Sequence, residues 1–247
     1  KNELMAKFTM EMWYGLKPHL RPESGLGALV EIVDQHVARL GKELPVNSDA
    51  ELDLRQSLGG MYIELGEMEK GARLLGSALE TLRQKSGPES QEVATLLNNY
   101  GYLLNDRGLH RQAEKFLQEA VAIQRKQPRG TNTDYLISLI NLTVTLTALN
   151  RLPEAIQTTT EAMAASPDNV GYYRCRGELF ARHGEWQAAS DDLGKAVQLA
   201  PTEHVYWMLR GSLLLAAGDR ETFDRHCQQM LERFGADTNA VVAQRVA

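Results

Sequence analysis

Cysteine is nearly absent: Cys175 and Cys227 are the two examples in 247 residues. That is too few for a disulfide framework, and neither sits at metal-ligand spacing. They read as small apolar packing residues of a reducing compartment, which points to the cytoplasm. No apolar run approaches the ~18 residues of a membrane span, and no charged-then-apolar segment opens the sequence. A basic excess is missing too: 27 Lys+Arg face 32 Asp+Glu, for a net charge of −5. This argues against a nucleic-acid module. The short run Arg125-Lys126-Gln127-Pro128-Arg129 is most simply a solvated loop.

Catalytic signatures are equally scarce. "SGLGALVE" holds Gly25 and Gly27 ahead of a helix, but lacks the third glycine and the preceding strand of a dinucleotide loop. A phosphate-loop lysine motif, H-E-x-x-H and G-x-S-x-G are all absent. His19, His36, His110, His183, His204 and His226 are scattered and read as surface or capping residues. The adjacent pair Asp191-Asp192 points in different directions on a helix and makes no carboxylate dyad. The chain therefore reads as non-enzymatic, with no catalytic residue, metal or cofactor assigned.

What is present is a globular composition, 43% hydrophobic and 24% charged. The length suits one large domain or two ordinary ones. The chain opens at Lys1 without a methionine and ends at Ala247, so we expect a piece of a longer protein.

A repeat organises most of the sequence. Units begin at Leu52, Ala94, Leu136, Val170 and His204, at spacings of 42, 42, 34 and 34 residues. Their eighth positions hold Gly59, Gly101, Thr143, Gly177 and Gly211; their eleventh hold Tyr62, Leu104, Leu146, Phe180 and Leu214. The fifteenth column is Gly66, Gly108, Asn150, Gly184 and Gly218. The twentieth is Gly71, Ala113, Ala155, Ala189 and Phe223, and the twenty-seventh is Ala78, Ala120, Ala162, Ala196 and Met230. Glycine or asparagine at the fifteenth position stops a helix in the left-handed conformation. Small residues at the other columns let two antiparallel helices approach closely, beside the large eleventh residue. Pro167 and Pro201 end the third and fourth units. A hairpin of this kind cannot bury its apolar face alone, so the units must stack into a solenoid. The fifth unit, with Phe223 and Met230 at small-residue columns, must hold its helices further apart.

This pattern resembles the tetratricopeptide repeat (TPR), clearest in "YYRCRGELFARHGEWQAASDDLGKAVQLAP" (172–201) and "VYWMLRGSLLLAAGDRETFDRHCQQMLERFG" (205–235). The 42-residue unit "GPESQEVATLLNNYGYLLNDRGLHRQAEKFLQEAVAIQRK" (87–126) resembles the long repeats of kinesin light chain. The last units are similar, more loosely, to TPR tails of large bacterial serine/threonine kinases and WD-repeat proteins. The resemblance implies an all-α, right-handed superhelical solenoid of antiparallel helix pairs. The five units are about 52–85, 94–127, 136–167, 170–201 and 204–235 within a domain of 48–236. Residues 1–47 match no unit. "LMAKFTMEMWYGL" reads as an amphipathic helix broken by Pro18 and Pro22, and 25–44 as a second, with Leu29, Ile32, Val33, His36, Val37 and Leu40 on one stripe. We expect this pair to cap the first repeat, a swapped or dimerising hairpin being the alternative. Residues 237–247 read as the start of one more helix.

In this architecture the first helix of each unit lines a concave groove through positions two, five, six, nine, twelve and thirteen. The first unit then contributes Asp53, Gln56, Ser57 and Glu64. The second adds Thr95, Asn98, Asn99, Tyr102, Asn105 and Asp106, and the third Ile137, Ile140, Asn141, Val144 and Thr147. Arg174, Cys175, Glu178 and Arg182 come from the fourth, and Val205, Met208 and Ser212 from the fifth. Among these, Asn98, Asn99, Tyr102, Asn105, Asn141, Arg174 and Glu178 are the candidate peptide-binding residues. Asn99 and Asn141 share the sixth position, and an asparagine offers both donor and acceptor to an extended peptide. Kinesin light chain resemblance implies the same role; bridging of neighbouring helices is the alternative. The carboxylate-clamping set of chaperone-binding TPR proteins is not reproduced, with Gln56 and Gly60 at the first unit's fifth and ninth positions. The leading expectation is a non-enzymatic scaffold that binds a peptide or protein partner, with no nucleic acid and no membrane insertion. A regulatory segment of a multidomain signalling enzyme, such as a bacterial serine/threonine kinase, is the runner-up. Self-assembly through the N-terminal helices is a third reading.

The small columns carry a prediction. Ala120→Leu or Ala162→Leu should cost on the order of 1–3 kcal/mol by overpacking, measured by denaturant unfolding, and Met230→Leu should cost less.

Overall fold

The computed structural model describes residues 26–127 and 133–235. These form eleven helices, with no strand among the described residues. The chain divides into two compact units, Lys1–Arg129 and Gly130–Ala247. In the first lie α1 (Leu26–Glu43), α2 (Asp49–Glu64), α3 (Met68–Ser86), α4 (Gln91–Asp106) and α5 (His110–Arg125). The second holds α6 (Thr133–Ala148), α7 (Leu152–Ala165), α8 (Val170–His183), α9 (Trp186–Leu199), α10 (His204–Ala217) and α11 (Arg220–Phe234). Within each unit a helix packs chiefly on its neighbours in sequence. The expected helices at 4–16 and 238–247 lie outside the described residues.

One turn recurs five times. Gly66, Gly108, Asn150, Gly184 and Gly218 have φ of 87°, 73°, 59°, 87° and 76°, all in the left-handed region. The N–H of the residue after each donates to the carbonyl of Tyr62, Leu104, Leu146, Phe180 or Leu214, at 2.8 to 3.0 Å. This is the bond of a Schellman turn, which satisfies carbonyls the helix end would otherwise orphan. The second helix of each pair starts at once, and four of them (α3, α5, α7, α9) have no side-chain cap. Three first helices follow looser connections and use side chains instead: Ser48 accepts from the Glu51 N–H, Ser90 from Val93 and Asn169 from Gly171.

Close approach follows a pairing of columns. A Cβ placed on Gly59 would lie 2.7 Å from Leu75 Cγ, one on Gly101 2.6 Å from Leu117 Cγ, and one on Gly177 2.3 Å from Leu193 Cδ2. Each glycine thus receives the leucine sixteen residues on, and Leu75, Leu117 and Leu193 are almost wholly buried. In the third repeat both partners change together: Thr143 faces Thr159, with hydroxyl oxygens 3.4 Å apart. A larger residue on one side is matched by a smaller one on the other, which conserves packed volume. The last repeat breaks the pairing, because Cys227 stands where leucine is expected. Gly211 there meets only Phe223 and His226, both at 3.7 Å, so α10 and α11 stand apart as the bulky Phe223 requires.

Helix α1 packs on α2: Val33, Leu40 and Leu44 form one cluster with Leu54, Leu58 and Tyr62. A polar triad ties the same face, with the Tyr62 hydroxyl donating to Asp34 at 2.6 Å and Lys70 Nζ donating at 2.8 Å. The Lys70 bond, followed by the Tyr62 bond, holds the Asp34 carboxyl below its usual range. Two histidines depart from the surface or capping role expected of them. His36 and His226 are buried at 6% and 3% exposure. His36 Nδ1 bonds the Ile32 carbonyl at 2.8 Å, and His226 Nε2 bonds the Trp207 carbonyl at 2.7 Å with its ring stacked on Trp207. Each ring satisfies one nitrogen on a backbone carbonyl, which is what permits burial.

Two predictions follow from this packing. Gly101→Ala should cost about 1–3 kcal/mol in denaturant unfolding. Gly211→Ala, whose Cβ would make only ordinary van der Waals contacts at 3.7 Å, should be neutral or stabilising by up to about 1 kcal/mol, because alanine favours a helix. Burial, with the nearby Arg210 as a further cause, pulls His226 below its ordinary 6.5. The unfolded chain therefore takes up this proton first. Stability is complete above the ordinary value and declines as pH falls toward the lowered one. Melting temperature should drop by roughly a few degrees between about pH 8 and about pH 5, and His226→Gln should remove that component.

Candidate functional site

Helices α2 and α4 present their groove-facing positions together. They enclose a groove of about 450 Å³ whose lining includes Asp53, Gln56, Ser57, Glu64, Asn99 and Tyr102. These are six of the residues that the repeat register assigns to the concave face. Gly60 at the ninth position adds no side chain, and a Cβ there would already approach Leu103 Cδ1 to 3.4 Å. Tyr102, at the ninth position of the next repeat, stands 54% exposed beside the space that Gly60 leaves. Met61 and Leu103, both tenth-position residues that the register did not assign to the face, supply apolar lining. A mixed wall of this kind suits a peptide: apolar surface for contact area, and a few polar groups for orientation.

The asparagines of the sequence motif separate by environment. Asn99 is exposed, and its amide makes no hydrogen bond with the described residues. Asn98, one residue earlier, points the other way; it is 8% exposed and engaged within the protein, which corrects its expected place in the groove. The helical turn of 100° per residue forces this divergence. Asn105 is half-buried, with Oδ1 2.5 Å from His110 Nδ1, and thereby links the end of α4 to the start of α5. Asn141 occupies the sixth position on α6 in the second compact unit, where it is half-buried and engaged within the protein. The two sixth-position asparagines are therefore not equivalent.

Charge is also distributed unevenly. The α2/α4 groove carries the carboxylates of Asp53 and Glu64 and no basic side chain in its lining. On α8, Arg174 and Glu178 are both exposed and pair with each other at 3.4 Å, so Arg174 is not a lone cation. The corresponding face of α6 is apolar, with Ile137, Ile140 and Val144 exposed at 41%, 43% and 51%. Cys175 and Cys227 are half-buried free thiols, and burial pushes both upward, away from the reactive thiolate. Among the described residues no three His, Cys, Asp or Glu side chains gather as a metal site, and no helix is long and apolar enough to cross a membrane.

Comparison with known proteins agrees with this architecture. The tetratricopeptide repeat family model matches residues 50–126 and again 92–168. No curated protein matches the chain. Among solved structures, the nearly identical TPR-like repeats ascribed to a Podosopora anserina kinesin light chain align with a TM-score of 0.62 at 18% identity, over 82% of this chain and 96% of that one. MamA from Desulfovibrio magneticus gives 0.54 at 17% identity, covering 76% and 97%. Pseudomonas aeruginosa PilF gives 0.54 at 15% identity, covering 98% and 96%. At these identities the structures show the fold alone. The family match identifies the chain as a member of the tetratricopeptide repeat family, and the solved structures share its fold.

Proposed function

We propose that the protein is a non-catalytic interaction scaffold that holds an extended peptide of a partner protein in the α2/α4 groove. Proteins built from this repeat are generally interaction scaffolds, which is the support from the family. The observation that carries the reading is Asn99: an exposed amide with no hydrogen bond to the described residues, set in a groove with Gln56 and the open face of Tyr102. A side chain kept for stability would spend its donor and acceptor on a neighbouring helix. Asp53 and Glu64 give the groove a negative potential, so a peptide with a basic side chain is the preferred ligand. We place the protein in the cytoplasm, where half-buried unpaired thiols persist.

Selection from a displayed random peptide library, followed by titration, tests this. The selected peptides should be enriched in Lys or Arg, and Asn99→Ala should weaken them on the order of tenfold through lost hydrogen bonds, with an unchanged melting temperature. Asp53→Asn should flatten the salt dependence of binding. Asn141→Ala should show the opposite pattern, a lower melting temperature with affinity retained. A peptide whose affinity is indifferent to Asn99 and Tyr102 would remove the groove from consideration.

A further inference from the structure

Positions seven and twenty-three face one another across the helix pair in the first, second, fourth and fifth repeats, and in the first three of these they are chemically matched. Leu58 and Leu74 share one apolar cluster. Tyr100 and Phe116 bring their rings to 4.4 Å. Arg176 is held by Asp192 in a two-pronged contact, Nε to Oδ2 at 2.8 Å and the second nitrogen to Oδ1 at 2.7 Å. In the last repeat these positions are Arg210 and His226. The cation is retained and its carboxylate is gone.

The consequences are visible around Arg210. Its contact with His226 Nδ1 is long, 3.5 Å. His226 has committed Nε2 to the Trp207 carbonyl, so the neutral ring offers Nδ1 as acceptor and no negative charge. Arg210 Nε is buried and has no hydrogen-bond partner among the described residues. The edge that carries it lies over Gly194 in mid-helix α9, where a Cβ would come within 3.1 Å of Nε and 3.3 Å of Cζ. A glycine inside a helix is costly, and here it makes the seat for a guanidinium. Asp192 holds Arg176 above its ordinary range, whereas burial draws Arg210 below it. Asp191 and Asp219 act weakly against that burial but do not pair with Arg210. Asp191 accepts from Gln187, and Asp219 caps the Thr222 N–H.

Arg210 also lines a cleft of about 570 Å³ between α9, α10 and α11, with Gln198, Trp207, Gln229, Glu232 and Arg233. Two guanidiniums face one carboxylate there, and the two glutamines add donors. We propose that this cleft binds the side-chain carboxylate of an acidic residue on a partner protein, with Arg210 as its principal contact and Arg233 as the second. The previous repeat names the class of ligand: the same guanidinium position is filled there by a planar carboxylate from within the chain, and a fork-shaped cation matches that group with two parallel bonds. This site is separate from the α2/α4 groove and does not rest on its assignment.

The test is an NMR titration of the intact chain that follows the Trp207 indole N–H, which donates to the Pro201 carbonyl at the cleft wall, and the Arg210 Nε–H. The probes are Ac-Gly-Glu-Gly-NH2, its neutral counterpart Ac-Gly-Gln-Gly-NH2, and inorganic phosphate. The glutamate peptide should give a saturable shift with a Kd on the order of millimolar, weakened by salt, while the glutamine peptide gives none. Arg210→Gln should weaken the response at least about tenfold. His226→Asp, which returns the carboxylate of the preceding repeat, should abolish it in a chain that still folds. The absence of a saturable shift with the native chain overturns the site. Equal response to the glutamine peptide overturns it, as does an undiminished response in either folded variant. Phosphate binding as tightly as the glutamate peptide overturns the assignment to a carboxylate. Should Arg210→Gln fail to fold, the glutamate–glutamine contrast and His226→Asp decide the matter.

Discussion

The molecule depends on one backbone conformation used five times, a left-handed residue at the end of each first helix. It turns the chain back, passes the next N–H to a carbonyl of the completed helix, and in four of the five pairs starts the second helix without a side-chain cap. Four of the five are glycine, for which that conformation carries no steric penalty; Asn150 is the exception, and asparagine is among the few side chains that visit it readily. With the reversal made, the two helices of a pair lie side by side, and the remaining repeat columns acquire their meaning from that contact.

On this constant frame the repeats exchange chemistry in matched pairs. Glycine against leucine becomes threonine against threonine in the third repeat, with total volume kept and a hydroxyl contact added. Leucine against leucine becomes tyrosine against phenylalanine, then arginine against aspartate. The interior thus accepts very different residues if both sides change together, as expected where close packing and paired charge are the governing constraints. Mismatches stand out against this rule. Gly211 opposite Cys227 leaves the last pair loose, and Arg210 opposite His226 leaves a cation without its counter-charge.

Surface positions obey no such rule, and there equivalence of register does not mean equivalence of role. Asn99 and Asn141 share a column, yet one is exposed with no hydrogen bond to the described residues and the other is half-buried and engaged within the protein. Arg174, taken alone, suggests attraction for acidic ligands, but Glu178 one turn further on answers it within the same helix. Neighbours in space, rather than position in the repeat, decide what a side chain has left to offer a partner.

Helices, turns and their order were legible in the residues themselves, because they rest on local constraints: periodic small and large side chains, and glycine or asparagine where φ must be positive. Asp53, Gln56, Asn99 and Tyr102, which the resemblance to the repeat architecture assigns to one face, line a common groove. Burial of His36 and His226 was not legible, because a histidine becomes an interior residue only when a carbonyl such as that of Ile32 or Trp207 stands ready to satisfy it. The separation of Asn99 from Asn98 and Asn141, and the isolation of Arg210, were decided by tertiary structure for the same reason. A polar side chain's availability is set by whether packing places a partner within hydrogen-bonding reach, and that distance is not a property of its own segment of sequence.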